Sequence, residues 1–120
     1  MMKSSATVMT VKDIAASLAY YRDKLGFAVA FEYGRPMSYA GLCSGDVSLH
    51  LISASNAPRP PGHGAVAIFV DNVDELHADF VKRGARILQA PTDHDYGMRN
   101  LDVADLDGNM IFFGQGSKKD

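Results

Sequence analysis

Apolar side chains recur with a helical period in the first quarter of the chain. This spacing predicts a helix over residues 13–25. Asp13 stands where its carboxylate can accept hydrogen bonds from the free amides of a helix start, and Gly26 stands where a left-handed residue would end the helix. The apolar stripe consists of Ile14, Leu18, Tyr21 and Leu25.

A second stretch repeats the first about half a chain later. Asn72 takes the capping position and Gly84 the terminating one. Tyr21 corresponds to Phe80, and residues 11–14 correspond to residues 70–73 at the same offset of 59. An offset near half the chain length indicates a tandem duplication. The second stripe consists of Val73, Leu76, Phe80 and Val81.

The remaining apolar segments are short and strand-like, one before each helix and three after it. Ser44-Gly45 and Asp107-Gly108 supply hairpin turn chemistry at corresponding places in the two halves. The predicted strands are residues 7–11, 27–33, 37–42 and 47–52 in the first half, and 65–70, 86–89, 99–104 and 110–113 in the second.

The two halves predict an α+β fold with two tandem β-α-β-β-β modules in one domain, residues 1–120. The first module covers about residues 6–53 and the second about residues 65–114. Between them, residues 54–64 form a linker rich in proline and glycine. One face of each sheet carries the helix. The other face is concave, and we expect it to meet the second module or a partner chain.

Composition narrows the class of protein. The 120 residues are 47% hydrophobic, which fits one domain with a substantial core. The net charge of −2 and the lack of a Lys/Arg stripe argue against nucleic-acid binding. Cys43 is the one cysteine, so no internal disulfide can form, which suits a reducing compartment. No apolar run approaches the length of a membrane span, and residues 1–7 do not resemble a signal peptide. We expect a cytoplasmic protein that does not bind membranes.

Three segments together resemble the glyoxalase/bleomycin-resistance/dioxygenase superfamily, also called the vicinal-oxygen-chelate superfamily. Residues 13–27 resemble its opening D-x-x-x-S-x-x-F-Y-x-x-x-L-G-F, and residues 70–74 resemble its V-D-D-V-D. Residues 96–99 and 105–109 resemble its W-G-x-R and D-P-D-G-N. Tyr96 replaces the usual Trp and Leu106 the usual Pro. The similarity spans about residues 7–114 and implies the same two-module fold.

Metal-dependent members of this superfamily bind a divalent ion with four side chains on the concave faces. The resemblance places these positions at Ala6, His50, Ala65 and Phe112. Only His50 carries a donor atom, and a single histidine does not make a metal site. The resemblance therefore implies a protein without metal or other cofactor, closest to the metal-free bleomycin-resistance-like branch.

Strand alternation predicts which side chains line the concave faces. The candidates on the first strand of each half and the last strand of the second half are Ala6, Val8, Thr10, Ala65, Ala67, Phe69, Met110 and Phe112, and those from the second and third strands of the first half are Phe31, Tyr33, Met37 and Tyr39. The rim candidates are Tyr96 and Arg99. For each position the alternative is packing in an interface. The predicted ligand-binding residues are Tyr39, His50, Phe69, Tyr96, Arg99 and Phe112.

No set of side chains predicts a nucleophile or a catalytic residue. His63 lies in the linker and His77 on the second helix, and neither has a predicted partner. The Asp93-His94-Asp95 cluster can be a cation site or a solvated loop. His50 can contact a ligand, carry a proton in the cleft, or be a strand histidine bonded to its neighbours.

The favoured function is binding of a small aromatic or drug-like molecule, as in proteins that sequester antibiotics. The resemblance implies a homodimer with clefts between paired modules, formed with or without exchange of modules. The alternative is an enzyme of the superfamily, a lyase, isomerase or dioxygenase acting on a small metabolite. Without metal, it would have to use His50 or Tyr39. A third alternative is a structural or regulatory subunit.

Overall fold

The computed structural model describes residues 1–116, which form two four-stranded sheets with a helix on one face of each. This confirms the predicted α+β fold of two β-α-β-β-β modules. The first module contains β1 (Thr7–Val11), α1 (Ile14–Asp23), β2 (Ala28–Tyr33), β3 (Tyr39–Ser44) and β4 (Val47–Ser53). The second contains β5 (Ala65–Phe69), α2 (Val73–Arg83), β6 (Arg86–Asp93), β7 (Met98–Ala104) and β8 (Met110–Gly116).

The two sheets have the same topology. Sheet A has the order β1-β4-β3-β2, and sheet B has the order β5-β8-β7-β6. The first two strands of each order are parallel and the remaining pairs are antiparallel. Helix α1 lies on sheet A and α2 on sheet B. The sheet face opposite the helix is called the open face below.

Both helices begin at the predicted caps. The Asp13 carboxylate accepts from the Ala16 amide at 3.0 Å, and the Asn72 side chain accepts from the Glu75 amide at 3.1 Å. Each bond satisfies an amide that has no partner inside the helix. Gly84 ends α2 with a φ of 81°, the left-handed conformation that glycine adopts without steric cost. Helix α1 ends at Asp23, slightly before the predicted boundary.

The core lies between each helix and its sheet. Tyr21 and Phe80, the corresponding residues of the two helices, are both fully buried. The remaining large, fully buried apolar side chains are Met9, Val11, Leu42, Leu49, Leu51, Val73, Leu101, Val103 and Ile111. Those on strands alternate with residues of the other face, because successive side chains point to opposite faces of a sheet, and Val73 belongs to α2.

Several strand boundaries differ from the predictions, and those of β3 and β6 bear on the packing. Strand β3 begins at Tyr39 rather than at residue 37, and Met37 packs against the core instead. Strand β6 continues through Pro91 to Asp93. Proline is tolerated there because β6 is an edge strand, whose outward amides need no partner in the sheet.

The modules are joined by the tip of the β7–β8 hairpin, which lies under α1. The Tyr21 hydroxyl donates to the Asp105 carboxylate at 2.8 Å, and the Tyr20 hydroxyl donates to the Ala104 carbonyl at 2.7 Å. The Asn109 side-chain amide donates to the Thr10 carbonyl at 3.0 Å. These buried polar groups are satisfied across the module boundary, which fixes one module against the other. Within residues 1–116, no helix has the length and apolar character needed to cross a membrane.

Candidate functional site

Three rings form a cluster on the open face of sheet A. The Tyr39 hydroxyl oxygen lies 2.8 Å from His50 Nδ1, which is hydrogen-bonding distance. The His50 ring is edge-on to Phe31 and to Tyr39, with centroid distances of 5.3 Å in each case. Phe31 and Tyr39 are nearly parallel, at an interplanar angle of 13°. This aromatic cluster (Phe31, Tyr39, His50) combines a flat apolar surface with a polar edge.

A β-bulge brings Phe31 to the open face. Val29 pairs with Leu42, and Phe31 pairs with Gly41, so Ala30 has no opposite residue. Val29 packs against the core, and strict alternation would turn Phe31 to the same side. The extra residue reverses the alternation and turns Phe31 to the open face, with 41% of its surface exposed.

Gly41 provides the space for the Phe31 ring. A Cβ atom at Gly41 would lie 2.1 Å from Phe31 Cε2, far below any van der Waals contact. Gly41 also pairs with His50 in the neighbouring strand. Glycine at this position therefore allows the phenyl ring to lie across β3 and reach His50.

A groove of about 370 Å³ adjoins the aromatic cluster. Val8 and Thr10 of β1 line it, and Val8 is directly opposite His50 in the sheet. Arg59, in the linker, contributes to its edge. Within residues 1–116, the Arg59 guanidinium forms no hydrogen bond or ion pair with another side chain. The groove thus has apolar walls, two threonines (Thr7 and Thr10) and one cation, the mixture found in small-molecule sites.

The open face of sheet B carries a second candidate surface. Ala67, Phe112 and Asp102 are neighbours on three adjacent strands, β5, β8 and β7. The small Ala67 side chain leaves room beside the Phe112 ring. Asp102 is half-buried, and its carboxylate forms no hydrogen bond or ion pair with the other residues described. A half-buried carboxylate beside apolar groups favours a ligand with a hydrogen-bond donor or a positive charge.

Phe69 and Tyr96 lie at the margins of sheet B. Phe69, on β5, is 78% exposed. Tyr96, in the β6–β7 turn, stacks on His94 with centroids 5.0 Å apart, and its hydroxyl accepts from the Asn100 side chain at 3.2 Å. Asn100 pairs with Gly114 in β8, and Gly114 pairs with Phe69 in β5, so the three residues lie side by side across sheet B. Tyr96 therefore reaches the rim of the open face, where it was predicted.

Arg99 points away from the open face of sheet B. It shares its side of β7 with Leu101 and Val103, which are buried under α2. Its guanidinium donates to both Asp74 carboxylate oxygens, at 3.1 and 2.8 Å, and lies 3.3 Å from Asp93. These bonds lower the pKa of Asp74 and raise the pKa of Arg99. Arg99 thus fixes the start of α2 and lies outside the candidate ligand site, although the sequence predicted it there.

The four positions that bind metal in some relatives lie on the two open faces. His50 pairs with Val8 in sheet A, and Phe112 pairs with Ala67 in sheet B, while Ala6 directly precedes β1 and Ala65 begins β5. Within residues 1–116, no group of three or more His, Cys, Asp or Glu side chains is arranged to bind a metal ion. The donor set present at these positions, one imidazole, does not fit a divalent ion.

Sequence reasoning missed two residues of the candidate surfaces, Asp102 and Arg59, and left the orientation of Phe31 open. Asp102 could have been found from alternation, because it lies between the buried Leu101 and Val103. Phe31 was a candidate, but the face of the sheet on which it lies could not be predicted, because no local pattern reveals the bulge at Ala30. No sequence pattern indicates that Arg59 belongs to the site, because its place beside β1 depends on the path of the linker.

The fold and the geometry of the open faces define a protein of the two-module βαβββ class. A family model described as the Glyoxalase/Bleomycin resistance protein/Dioxygenase superfamily matches residues 3–113. The chain belongs to this superfamily, as its motifs indicated. No curated protein sequence matches the chain.

Several solved structures are similar to the chain over nearly its whole length. A superfamily member from Sphaerobacter thermophilus is 22% identical, with a TM-score of 0.82, over 96% of this chain and 98% of that one. TnmS3, an antibiotic-binding protein from a Streptomyces species, is 26% identical, with a TM-score of 0.78 and coverage of 98% and 99%. The bleomycin-binding protein from Streptomyces verticillus is 21% identical, with a TM-score of 0.78 and coverage of 99% and 98%.

Proposed function

We propose that this chain binds a small, flat aromatic or drug-like molecule on its open faces, without a metal ion. The observation that carries this proposal is the aromatic cluster on sheet A, where Tyr39 and His50 are hydrogen-bonded on an uncovered surface. Aromatic walls with a few fixed polar groups are the usual composition of such sites. The structural similarity to an antibiotic-binding and a bleomycin-binding protein supports the same class of ligand.

The Tyr39–His50 hydrogen bond gives the cluster a directional polar group. When the Tyr39 hydroxyl donates to Nδ1, the ring proton is on Nε2. Nε2 forms no hydrogen bond within the part of the chain that the structure describes. It can then donate to a carbonyl, phenolate or carboxylate oxygen of a ligand whose ring lies against Phe31. Tyr96, Phe69 and Phe112 would contact the ligand from sheet B.

The site as proposed requires a homodimer. Large apolar or aromatic side chains are exposed on both open faces, namely Val8, Phe31, Tyr33 and Phe69. Uncovered apolar patches of this kind mark interaction surfaces. A dimer in which sheet A of one copy faces sheet B of the other would cover these surfaces and form two clefts, with or without exchange of modules.

A metal-independent lyase or isomerase is the second candidate, and the Tyr39–His50 pair is the observation that favours it. A phenol and an imidazole 2.8 Å apart on an accessible surface can pass a proton to or from a substrate. Turnover of a small carbonyl metabolite by metal-free protein, lost in both Tyr39→Phe and His50→Gln, would establish this candidate. Stoichiometric Zn, Ni, Mn or Fe in active protein would contradict both candidates.

Ligand binding is tested by thermal unfolding with a panel of planar aromatic antibiotics and metabolites. A ligand that binds the folded state raises the midpoint, and at 100 times its Kd it adds about 2.7 kcal/mol to the free energy of unfolding. We expect Tyr39→Phe to weaken binding of any hit by about 0.5–1.5 kcal/mol, because it removes the bond that orients His50.

Tyr33→Phe is the matched control. It removes a hydroxyl from the same open face, but the Tyr33 hydroxyl forms no hydrogen bond with the other residues described. Equal loss in both variants would contradict the role of the Tyr39–His50 bond. No midpoint shift with any compound, for protein that is folded and dimeric, would contradict ligand binding.

The shared cleft is tested by mixing two inactive variants. His50→Ala disables sheet A, and Phe112→Ala disables sheet B. If clefts form between chains, random exchange of subunits restores about a quarter of the sites, because each mixed dimer contains one intact cleft. If each cleft forms within a chain, mixing restores none. Analytical ultracentrifugation establishes the dimer independently.

A further inference from the structure

The two hairpin tips make unequal contacts with the opposite modules. The β7–β8 tip inserts under α1, and its Asp105 and Asn109 are fully buried. At the corresponding β3–β4 tip, Ser44 and Asp46 remain exposed. Asp46 holds the position after the turn glycine that Asn109 holds in the second module. The first tip therefore does not fill the space beneath α2 as the second tip fills the space beneath α1.

The helices differ in the same way at this contact. Tyr20 and Tyr21 of α1 supply hydroxyl groups that bond the inserted tip. The residues 59 positions later on α2 are Asp79 and Phe80, and the buried Phe80 has no hydroxyl to offer. A polar tip cannot be buried beneath α2 without leaving hydrogen-bonding groups unsatisfied. The difference in sequence thus explains why the space stays unfilled.

A cavity of about 170 Å³ occupies this space. Five of its lining side chains are buried and apolar: Leu25, Phe27, Ile68, Phe80 and Phe113. Val47, Val70 and Leu76 are half-buried apolar neighbours. The Phe80 and Phe113 rings meet edge to face, with centroids 5.2 Å apart, and form one wall. The hydroxyl-bearing Ser44 lies at its outer end, where the tip is exposed.

We infer that this cavity, which we call the α2 cavity, is a binding site for one small uncharged apolar molecule of about the size of benzene or toluene. An apolar cavity of about 150 Å³ in a protein stays dry and binds a single aromatic ring. Burial of a ring here restores dispersion contacts that the facing side chains lack. The α2 cavity lies on the helix side of sheet B, apart from Tyr39 and His50. It shares one lining residue, the exposed Phe69, with the proposed open-face site. The Tyr39–His50 pair plays no part in it, so this inference does not depend on the proposed ligand on the open faces.

Toluene is the probe, and NMR of the full, isotope-labelled chain is the measurement. We expect saturable shifts of the amides of Ile68, Val70 and Leu76, with nuclear Overhauser effects from the toluene protons to the Leu76 and Phe80 side chains. Tyr39→Phe should bind toluene as the native protein does. Shifts that do not saturate, or contacts confined to the open faces, would overturn the inference.

Val47→Phe tests the site by filling it, because residue 47 lines the cavity and a larger side chain can occupy the space. We expect at least about a tenfold loss of toluene affinity with an unchanged or higher thermal midpoint, because filling a cavity commonly stabilises a protein. Val47→Ile is the control, since one added methylene leaves room for the ring. Undiminished binding in Val47→Phe would overturn the inference. If Val47→Phe does not fold, the Overhauser contacts in the native protein decide by themselves.

Discussion

The hydroxyl of Tyr21 donates a 2.8 Å hydrogen bond to the carboxylate of Asp105, 84 residues later in the chain. Both residues are fully buried. The same carboxylate accepts from the amides of Asp107 and Asn109, each at 2.9 Å. One side chain of the first module thus completes the hydrogen bonding of a buried charge in the second. This contact explains why the modules form one unit instead of two independent ones.

Removal of the Tyr21 hydroxyl is expected to destabilise the protein without changing its fold. In Tyr21→Phe the ring still fills its place, but Asp105 loses a donor while it remains buried. The expected loss is about 1–3 kcal/mol in the free energy of unfolding, measured with urea at neutral pH. Tyr33→Phe, at an exposed position, should change it by less than about 0.5 kcal/mol. A loss no larger in Tyr21→Phe than in this control would show that the bond does not stabilise the fold.

The same residue predicts how stability changes at alkaline pH. Burial, and then the charge and hydrogen bond of Asp105, raise the pKa of Tyr21 well above its ordinary value of 10.0. The folded state holds the Tyr21 proton more tightly than the unfolded state does. The resulting contribution of Tyr21 to stability is therefore complete below pH 10 and is lost as pH rises above it. The native protein should therefore lose stability above pH 10 more steeply than Tyr21→Phe. The same dependence of unfolding free energy on pH in both proteins would contradict the predicted link between the Tyr21 proton and stability.

Gly41→Ala is expected to weaken ligand binding more than it weakens folding. The added methyl group would collide with the Phe31 ring, which is partly exposed and can swing away. The aromatic cluster would then lose one wall. We expect at least about a fivefold loss of affinity for a ligand of the open face, with a change in unfolding free energy of about 1 kcal/mol or less. If affinity is retained while Phe31 is displaced in a crystal structure, the ring is not part of the site.

Ser17 is expected to be replaceable by alanine at no cost in stability. Its hydroxyl is buried in α1 and has no hydrogen-bond partner among the residues described. Alanine removes the unsatisfied group and has a higher helix propensity. We expect Ser17→Ala to have an equal or higher free energy of unfolding by urea. A loss of more than about 1 kcal/mol would show that the hydroxyl is bonded, for example to a buried water molecule.

The Asp74–Arg99 ion pair predicts that the free energy of unfolding depends weakly on pH in the acidic range. The hydrogen bond from Arg99 lowers the pKa of Asp74 below its ordinary value of 3.8. Because the pKa of Asp74 is depressed in the folded state, the ion pair contributes to stability above pH 3.8, and this contribution is lost as pH falls through the lowered pKa. A carboxyl titration by NMR measures the pKa of Asp74 directly. In Arg99→Gln, the pKa of Asp74 should return towards its ordinary value, and an unchanged pKa would contradict the pairing.

Local physical chemistry determined much of the fold. A helix start depends on one side chain and an amide three residues away, so Asp13 and Asn72 were recognisable as caps. The turns at Gly45 and Gly108 depend on backbone conformations with positive φ, which glycine adopts readily. The duplicated pattern then predicted two modules with the same element order. The faces of His50, Phe69 and Phe112 followed from alternation along the well-defined strands β4, β5 and β8.

The tertiary structure decided what depends on register and on distant contacts. The bulge at Ala30 reverses the alternation of β2 and turns Phe31 to the open face, and no local pattern reports that extra residue. Arg99 belongs to a family motif, yet its pairing with Asp74 becomes visible only when α2 lies against β7. The buried Tyr21–Asp105 bond joins residues that no local periodicity relates. The unequal hairpin tips that leave the α2 cavity unfilled likewise exist only in the assembled fold.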